Sequence, residues 1–414
     1  MRYLTTLAVL LATTSLASAA SNENESFILQ VGKKNTAVVS QKNGKNNQAT
    51  VQFGKGNQAL TAQKTTGNDT NKSGTLQVGN NNTAVAAQAG GNNVQGTLQV
   101  GSDNKAVTLQ SNSSADLNTS ATAQFGSKNE SMAVQTDGRN DQRTLQLGNK
   151  NEAVTVQMNG AKGAENNSTT VEGGVGNKAL TLQDTAGTGL GAKSGKGGDN
   201  DSTAVQFGRN NVAVTTQDSE GTGVDTTARS GVDNASATLQ MGRNNFALTS
   251  QDGSRNGVKP DKTSNDSFVG QFGNGNTALA KQTNGNNDQA SVQIGSGNTA
   301  LTGQKTSEAG TGTNGSMTMQ VGNGNLALTR QKIANPFNTG TNASLITQLG
   351  KNNVALAGQG DTGLQPMIGA NLQTTLQAGN GNTAITMQTA SASVANTSVT
   401  AQFGSHNVAI TSQH

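Results

Sequence analysis

The chain repeats one spacing of Asn and Gln along most of its length. An Asn is followed six residues later by a Gln, then by a four-residue turn with Gly at its second position, and then by a second Asn-x5-Gln segment. Fifteen such copies fill residues 24–413. The first Gln is replaced only by Glu172, and the Ala two residues after the second Asn is replaced only by Ser131. This regularity predicts a fold in which identical units stack.

Each copy has the length and pattern of one rung of a solenoid. Two seven-residue segments and two four-residue turns make 22 residues, which is the shortest spacing between copies. The segments alternate with a period of two, which is typical of strands, and Gly in the turn supplies backbone angles that other residues reach only with strain. The prediction is an all-β solenoid of 15 strand–turn–strand rungs, with two stacked parallel in-register sheets in a cross-β, amyloid-like arrangement. The fixed positions in the first, second and last copies are Asn24, Gln30, Gly32, Asn35, Ala37, Gln41, Asn46, Gln52, Gly54, Asn57, Ala59, Gln63, Asn396, Gln402, Gly404, Asn407, Ala409 and Gln413.

All variation in length falls between copies. The turn inside a copy always has four residues, whereas the connection between copies ranges from four residues (42–45) to sixteen (184–199 and 218–233). A stack tolerates loops that bulge outward but not extra residues within a strand. We therefore expect variable loops along one edge of the solenoid.

The two faces of the predicted strands differ in polarity. One carries Asn, Ser or Gln, Thr and Gln, and the other carries apolar residues such as Leu29 and Val38. Hydrophobicity alone would bury the apolar face, whereas the near-constant Asn, Ala and Gln positions indicate a tightly packed polar face. We favour burying the polar face, whose amides would form ladders along the stack. The apolar row would then be an exposed stripe, and Arg143, Lys281 and Arg330 are expected to face water.

The beginning of the chain predicts secretion. Residues 1–20 read as a signal peptide, with Arg2 as the charged start, an apolar stretch and a small-residue region with cleavage at Ala19 or Ala20. The apolar stretch is too short to span a membrane. A short segment, residues 21–23, then precedes the repeats. The mature chain is therefore expected outside the cytoplasm, and it has no Cys to form disulfides.

The spacing Asn-x5-Gln-x-Gly-x-x-Asn-x-Ala-x3-Gln resembles the curlin repeat of bacterial curli fibres, over residues 24–413. The resemblance implies that the fixed positions form inward ladders in a β-solenoid that polymerises on the bacterial cell surface as a functional amyloid. It also implies roles in biofilm matrix and surface adhesion, binding of host or matrix proteins, a nucleator subunit and an outer-membrane secretion pore. The chain has more copies than a typical curlin, longer edge loops and a shorter segment before the first copy.

The ends of the repeat region favour self-association. The first copy follows residues 21–23 directly, and Gln413 is followed by His414. We therefore expect no terminal cap, and an uncapped rung presents unpaired backbone to which another chain can add. The expected partner is the chain itself, stacked end to end.

Other classes of function receive less support. His406 and His414 lie near no repeated acid pair, so an enzyme is not favoured, and no catalytic residue, metal site or cofactor is predicted. A net charge of +4 and scattered basic residues disfavour nucleic-acid binding. One Thr per strand, rather than two, disfavours an ice-binding surface. The main alternative is a soluble, monomeric β-solenoid adhesin that binds through its variable edge loops.

Overall fold

The predicted all-β solenoid is confirmed. The computed structural model describes residues 23–65, 69–159, 164–185, 198–219, 232–253, 264–306, 312–333, 340–361, 369–390 and 395–414. These ranges form strands and turns, and none of them contains a helix long and apolar enough to cross a membrane. The predicted signal peptide with Ala19 and Ala20, and most of the two sixteen-residue inserts, lie outside the described residues.

The chain divides into two compact units. The first comprises Met1–Thr155 and Gly173–Val175, and the second comprises Val156–Glu172 and Gly176–His414. The strands of the first unit are β1 (Glu25–Lys33), β2 (Thr36–Lys42), β3 (Lys45–Lys55), β4 (Gln58–Lys64), β5 (Thr70–Asn80), β6 (Thr83–Ser102), β7 (Lys105–Ser127), β8 (Glu130–Thr136) and β9 (Arg139–Asn149). Residues of both units occur in β10 (Glu152–Met158) and β11 (Glu165–Val175).

The second unit continues the same alternation of longer and shorter strands. They are β12 (Lys178–Asp184), β13 (Asn200–Arg209), β14 (Val212–Asp218), β15 (Asp233–Arg243), β16 (Phe246–Asp252), β17 (Ser264–Asn274), β18 (Thr277–Thr283), β19 (Asn287–Ser296), β20 (Thr299–Lys305), β21 (Thr313–Asn323), β22 (Leu326–Lys332), β23 (Thr341–Lys351), β24 (Val354–Asp361), β25 (Ala370–Asn380), β26 (Thr383–Ala390), β27 (Asn396–Ser405) and β28 (Val408–Gln413).

Within each unit, equivalent segments of successive copies pair in parallel and in register. In the first unit, β1 pairs with β3, which places Gln30 opposite Gln52, and β2 pairs with β4 in the same way. In the second unit, β13 pairs with β15, with Gln206 opposite Gln240. Each rung therefore gives its first Asn-x5-Gln segment to one sheet and its second segment to the other, at a spacing of about 4.8 Å. Strands β6 and β7 each join segments of two rungs, so the described residues give 28 strands rather than thirty separate segments.

The polar face is buried, as favoured from the sequence. Asn46, Gln52 and Asn57 are completely inaccessible to solvent, whereas Phe53 is 39% and Leu60 45% exposed. The three charged strand residues expected to face water, Arg143, Lys281 and Arg330, are exposed. The apolar side chains thus form an exposed stripe, and the interior consists of amides, hydroxyls and small side chains.

The interior is too narrow for two large side chains at the same level. Ile346 takes the place of the usual inward Thr in β23 and is fully buried, and it packs against Ala355, Ala357 and Ala327. In β24, Ala357 itself replaces the Thr that most copies have at that position. A larger residue on one sheet is therefore matched by a smaller residue on the other, as close packing requires.

The turn inside each rung needs two residues with positive φ. One is the fixed Gly, for example Gly242 with φ of 128°. The other is the residue before the second Asn, for example Asn244 with φ of 55° and His406 with φ of 58°. This last position is occupied by Asn, Gly, Asp, Lys or His, mostly residues that tolerate the left-handed region. The turn position also requires Gly for a steric reason. A Cβ at Gly242 would lie closer than van der Waals contact to the carbonyl oxygen of Gly273 in the next rung.

We predict that Gly242→Ala destabilises the second unit by about 2 kcal/mol or more, because it combines backbone strain with a clash that neighbouring backbone cannot relieve. The denaturant midpoint of the purified chain measures the change. Gly303→Ala is the matched control, since Gly303 is also in a strand but a Cβ there meets no atom within 4 Å. Equal effects of the two substitutions would contradict the steric explanation.

Candidate functional site formed by stacked amides

The Gln side chains form two columns of hydrogen bonds in each unit. In the first unit, Gln52 Nε2 donates to Gln77 Oε1 at 2.7 Å, and Gln63 Nε2 donates to Gln88 Oε1 at 2.7 Å. In the second unit, Gln206 Nε2 donates to Gln240 Oε1 in the same manner at 2.7 Å. At each of these steps the donor belongs to the earlier rung and the acceptor to the later one.

The Asn columns run in the opposite direction. In the column of first Asn residues, Asn71 Nδ2 donates to Asn46 Oδ1 of the earlier rung at 3.3 Å. The column of second Asn residues has the same direction. Both the backbone N and the Nδ2 of Asn82 donate to Asn57 Oδ1, each at 3.1 Å. Because a backbone N–H can only donate, Asn57 Oδ1 must accept, and the direction of this column is therefore fixed.

The amides also join the two sheets and satisfy the turns. Gln52 Nε2 donates its second hydrogen to the backbone carbonyl of Thr36 on the other sheet at 3.1 Å. Asn57 Nδ2 donates to the carbonyl of Phe53 in its own turn and to that of Gly79 in the next rung, both at 3.0 Å. Each of these amides therefore bonds along the stack and also across it or around the turn, so that its own polar groups are paired.

The predicted ladder residues of the first two copies lie in these columns. Gln30 and Gln41 donate to Gln52 and Gln63, and Asn46 donates to Asn24. Asn35 Oδ1 accepts from the backbone N of Asn57 at 3.1 Å. Ala37 and Ala59 are buried beside the columns, and Gly32 and Gly54 face each other in the turns.

In the last copy, Asn396 and Gln402 remain buried while Asn407 is exposed. Ala409 and Gln413 are partly exposed, because no described strand covers β27 and β28 on the side away from β25 and β26. Gly404 keeps the positive φ of the turn Gly. The structure thus places the last copy like the others, with one open edge.

Glu172 interrupts a Gln column within the second unit. It occupies a Gln position and is fully buried, and a carboxyl group in place of the amide has no N–H to donate to the next rung. The acceptor that such a donor would serve, Gln206 Oε1, is buried and has no hydrogen-bond partner. The substitution is visible in the sequence, but its effect on Gln206 requires knowledge of the direction of the column.

The outer surface of the second unit carries two stacked carboxylates. Asp266 in β17 lies opposite Asp288 in β19. Burial raises the pKa of Asp288, and the neighbouring charge of Asp266 raises it further. Burial likewise raises the pKa of Asp266, a hydrogen bond from Ser264 partly offsets this, and the charge of Asp233 adds to the rise in pKa. The sequence analysis did not single out this pair, although both residues follow the first Asn of their copies.

The described residues contain no group of three or more His, Cys, Asp or Glu side chains arranged to hold a metal ion. The two His residues are exposed, and His406 lies in a turn. The dominant feature of the described residues is the set of four amide columns, which has the chemistry of a stacking interface.

We predict that Glu172→Gln raises the free energy of unfolding by about 1–3 kcal/mol, because the new amide can donate to Gln206 Oε1. Urea denaturation of the purified chain measures the change. Gln240→Glu is the matched reverse variant: it removes the donor to Gln271 Oε1 and is expected to destabilise by a similar amount. A lower midpoint for Glu172→Gln than for the parent chain would contradict this account of the column.

We predict that Asp288→Asn stabilises the second unit at neutral pH by up to about 1 kcal/mol, the range of exposed like-charge pairs. Because the pKa of Asp288 is raised in the folded chain, its contribution to stability is fully present below its ordinary pKa of 3.8 and is lost as pH rises through the folded pKa. The gain from Asp288→Asn should therefore disappear at about pH 3. Urea midpoints at pH 7 and pH 3 test this, with Thr397→Asn, at the same strand position, as control.

The comparison with known families agrees with this arrangement. The family model described as "Curlin associated repeat" matches residues 22–52, which contain the first copy and the beginning of the second. A search of curated proteins finds no match. The residues that define the matched copy recur in the later copies. In each unit, these residues pair in register with the same residues of the neighbouring rung. The curlin-repeat family and the β-solenoid fold are typical of structural proteins rather than enzymes. The chain therefore contains a curlin-associated repeat at residues 22–52, and the residue pattern of that repeat recurs up to residue 413.

Proposed function

We propose that the chain is a secreted, curli-like subunit that polymerises end to end into extracellular amyloid fibres, which serve in biofilm matrix and surface adhesion. The observation that carries the proposal is the directional complementarity of the rung edges. The later edge of a rung offers Gln donors and Asn acceptors, and the earlier edge of the next rung offers the matching Gln acceptors and Asn donors.

The open edges of the described residues have this complementarity. Gln402 Nε2 and Gln413 Nε2 each donate one hydrogen to a backbone carbonyl of β26 or β27, and in inner rungs the second hydrogen goes to the next Gln. At the first rung, Gln41 Nε2 donates to Gln63. Gln41 Oε1 therefore lies on the side away from Gln63, where an incoming rung would supply its donor. A second copy added head to tail would therefore continue all four columns, whereas head-to-head addition would place donors against donors.

The energetics favour addition to such an edge. Each new rung would form four amide bonds along the stack and two sets of parallel backbone hydrogen bonds, each bond contributing on the order of 1 kcal/mol. It would also cover the apolar side chains that are most exposed in the last rung, such as Val399 at 73% and Ile410 at 71%. Both terms favour the stacked over the dispersed state.

The remaining roles rest on the family resemblance and on the start of the chain. Residues 1–20, with cleavage at Ala19 or Ala20, are proposed as the secretory signal, and the repeats at 24–413 as the fibre-forming region. A nucleator subunit and an outer-membrane pore are the partners that such export and assembly would use. The edge loops would then lie along the fibre surface, where host or matrix proteins could bind.

We predict that the mature chain, diluted from denaturant, forms fibres after a lag and that preformed fibres shorten the lag, because an existing edge removes the costly first stacking step. Thioflavin-T fluorescence with electron microscopy measures this. Gln413→Glu should slow seeded elongation by about tenfold, since it removes an edge donor worth roughly 1.4 kcal/mol and adds a charge at the junction.

Ser412→Glu is the matched control, because it adds the same charge to an exposed neighbour in the same strand. It should leave elongation closer to that of the parent chain. A β-rich monomer that stays dispersed for days, even after preformed fibres are added, would overturn the polymerisation proposal and favour a monomeric adhesin. Equal slowing by the two variants would overturn the proposed role of the amide edge.

A further inference from the structure

A groove runs along the outer surface of the second unit, over the sheet of first segments. Its two walls are the residues one and three positions after the first Asn of each rung, and its volume is about 590 Å³. The lining extends from Asp201 to Leu372 across seven successive rungs, which corresponds to roughly 29 Å at the spacing of parallel strands. The groove is therefore long and narrow and is open to solvent.

One part of the groove is acidic. Asp266 and Asp288 stand in adjacent rungs on one wall, and Phe268 is 40% exposed on the other. Among the described residues, no Lys or Arg forms an ion pair with either carboxylate. Burial raises the pKa of both carboxyls, and repulsion from a neighbouring carboxylate adds to it, from Asp266 at Asp288 and from Asp233 at Asp266. A cation placed between them would relieve this repulsion, and it would also lie near the ring of Phe268, whose face attracts positive charge.

The adjoining part is apolar. Gly315, Ala343 and Leu372 follow one another in register on the wall that carries the carboxylates, and Met317 and Leu345 form the opposite wall with 47% and 38% exposure. A Cβ at Gly315 would meet no atom within 4 Å, so the groove is open at this point. No charged residue lines these three rungs. This part therefore suits an alkyl chain lying along the stack.

We propose that this groove binds a cationic amphiphile, with its positive head between Asp266 and Asp288 beside Phe268 and its alkyl chain along Gly315, Met317 and Leu345. Along the groove, the acidic part is followed directly by the apolar part, and a cationic amphiphile has a charged head and an apolar tail in the same arrangement. A small cation would leave the apolar walls uncovered, and a neutral or anionic amphiphile would leave the carboxylates unpaired. The groove lies wholly within the second unit, so the proposal does not depend on polymerisation.

Isothermal titration calorimetry of the full chain with dodecyltrimethylammonium, kept below its micelle concentration, tests the proposal. We expect saturable binding to one site per chain. Tetramethylammonium, which has the head alone, and dodecyl maltoside, which has the tail without charge, should each bind at least about tenfold more weakly, the factor that corresponds to loss of one good interaction. Equal or tighter binding of dodecyl sulfate would overturn the proposal, because it would show adsorption to apolar surface regardless of charge.

Two variants remove the two halves of the site separately. Asp266→Asn combined with Asp288→Asn should weaken binding about tenfold and make it less sensitive to salt. Gly315→Val should weaken it by filling the apolar part, and the substitution suits a strand position with open space. Circular dichroism and the urea midpoint establish that each variant is folded.

The controls lie in strands of the first unit, outside the groove. Asp141→Asn removes a carboxylate at the same strand position in the first unit, and Gly74→Val fills open space beside another strand there. Neither should change the affinity. If the groove variants bind like the parent chain, or if the control variants lose binding equally, the groove is not the site.

Discussion

The structure depends on the requirement that every amide buried between the two sheets finds partners. A side-chain amide that is removed from water without a hydrogen bond costs about 1–3 kcal/mol, and each inner rung buries four. Stacking in exact register meets this requirement, because Gln52 finds Gln77 and Asn57 finds Asn82 at hydrogen-bond distance. A slip by one residue would expose the amides and bury the apolar row, so the ladders select the register as well as stabilising it.

The same requirement explains why an interior with so little apolar surface is well packed. The space between the sheets holds Ala and Thr beside the amides, and where Ile346 enters, Ala357 makes room for it. Large apolar side chains instead mostly lie outside, where they are exposed to water. Backbone strain is concentrated in the turns, where Gly at one position and Asn, Gly, Asp, Lys or His at another adopt positive φ. Each Asn-x5-Gln segment can consequently keep the same length, while all variation in length lies in the connections between rungs.

Much of the fold could be predicted from the sequence, because the repeat occurs within one chain. The spacing of Asn24 and Gln30 and the four-residue turn predicted strands, rungs and parallel pairing, and the constancy of the amide positions predicted the buried face. The direction of each column could not be predicted, since the identity of a residue does not say which neighbour its amide donates to. For that reason the unpaired oxygen of Gln206 was not foreseen. The groove beside Asp266 was missed because it depends on non-repeating residues that only the register brings together.

The opposite directions of the Asn and Gln columns have an electrostatic consequence. An amide carries a dipole of about 3.5 D, and a long column of amides all pointing one way would accumulate charge of opposite sign at its two ends. A rung with all four amides contributes two Gln dipoles in one sense and two Asn dipoles in the other. Their fields along the stacking direction largely cancel, so that a new rung meets nearly the same potential whether it is added to a short stack or a long one.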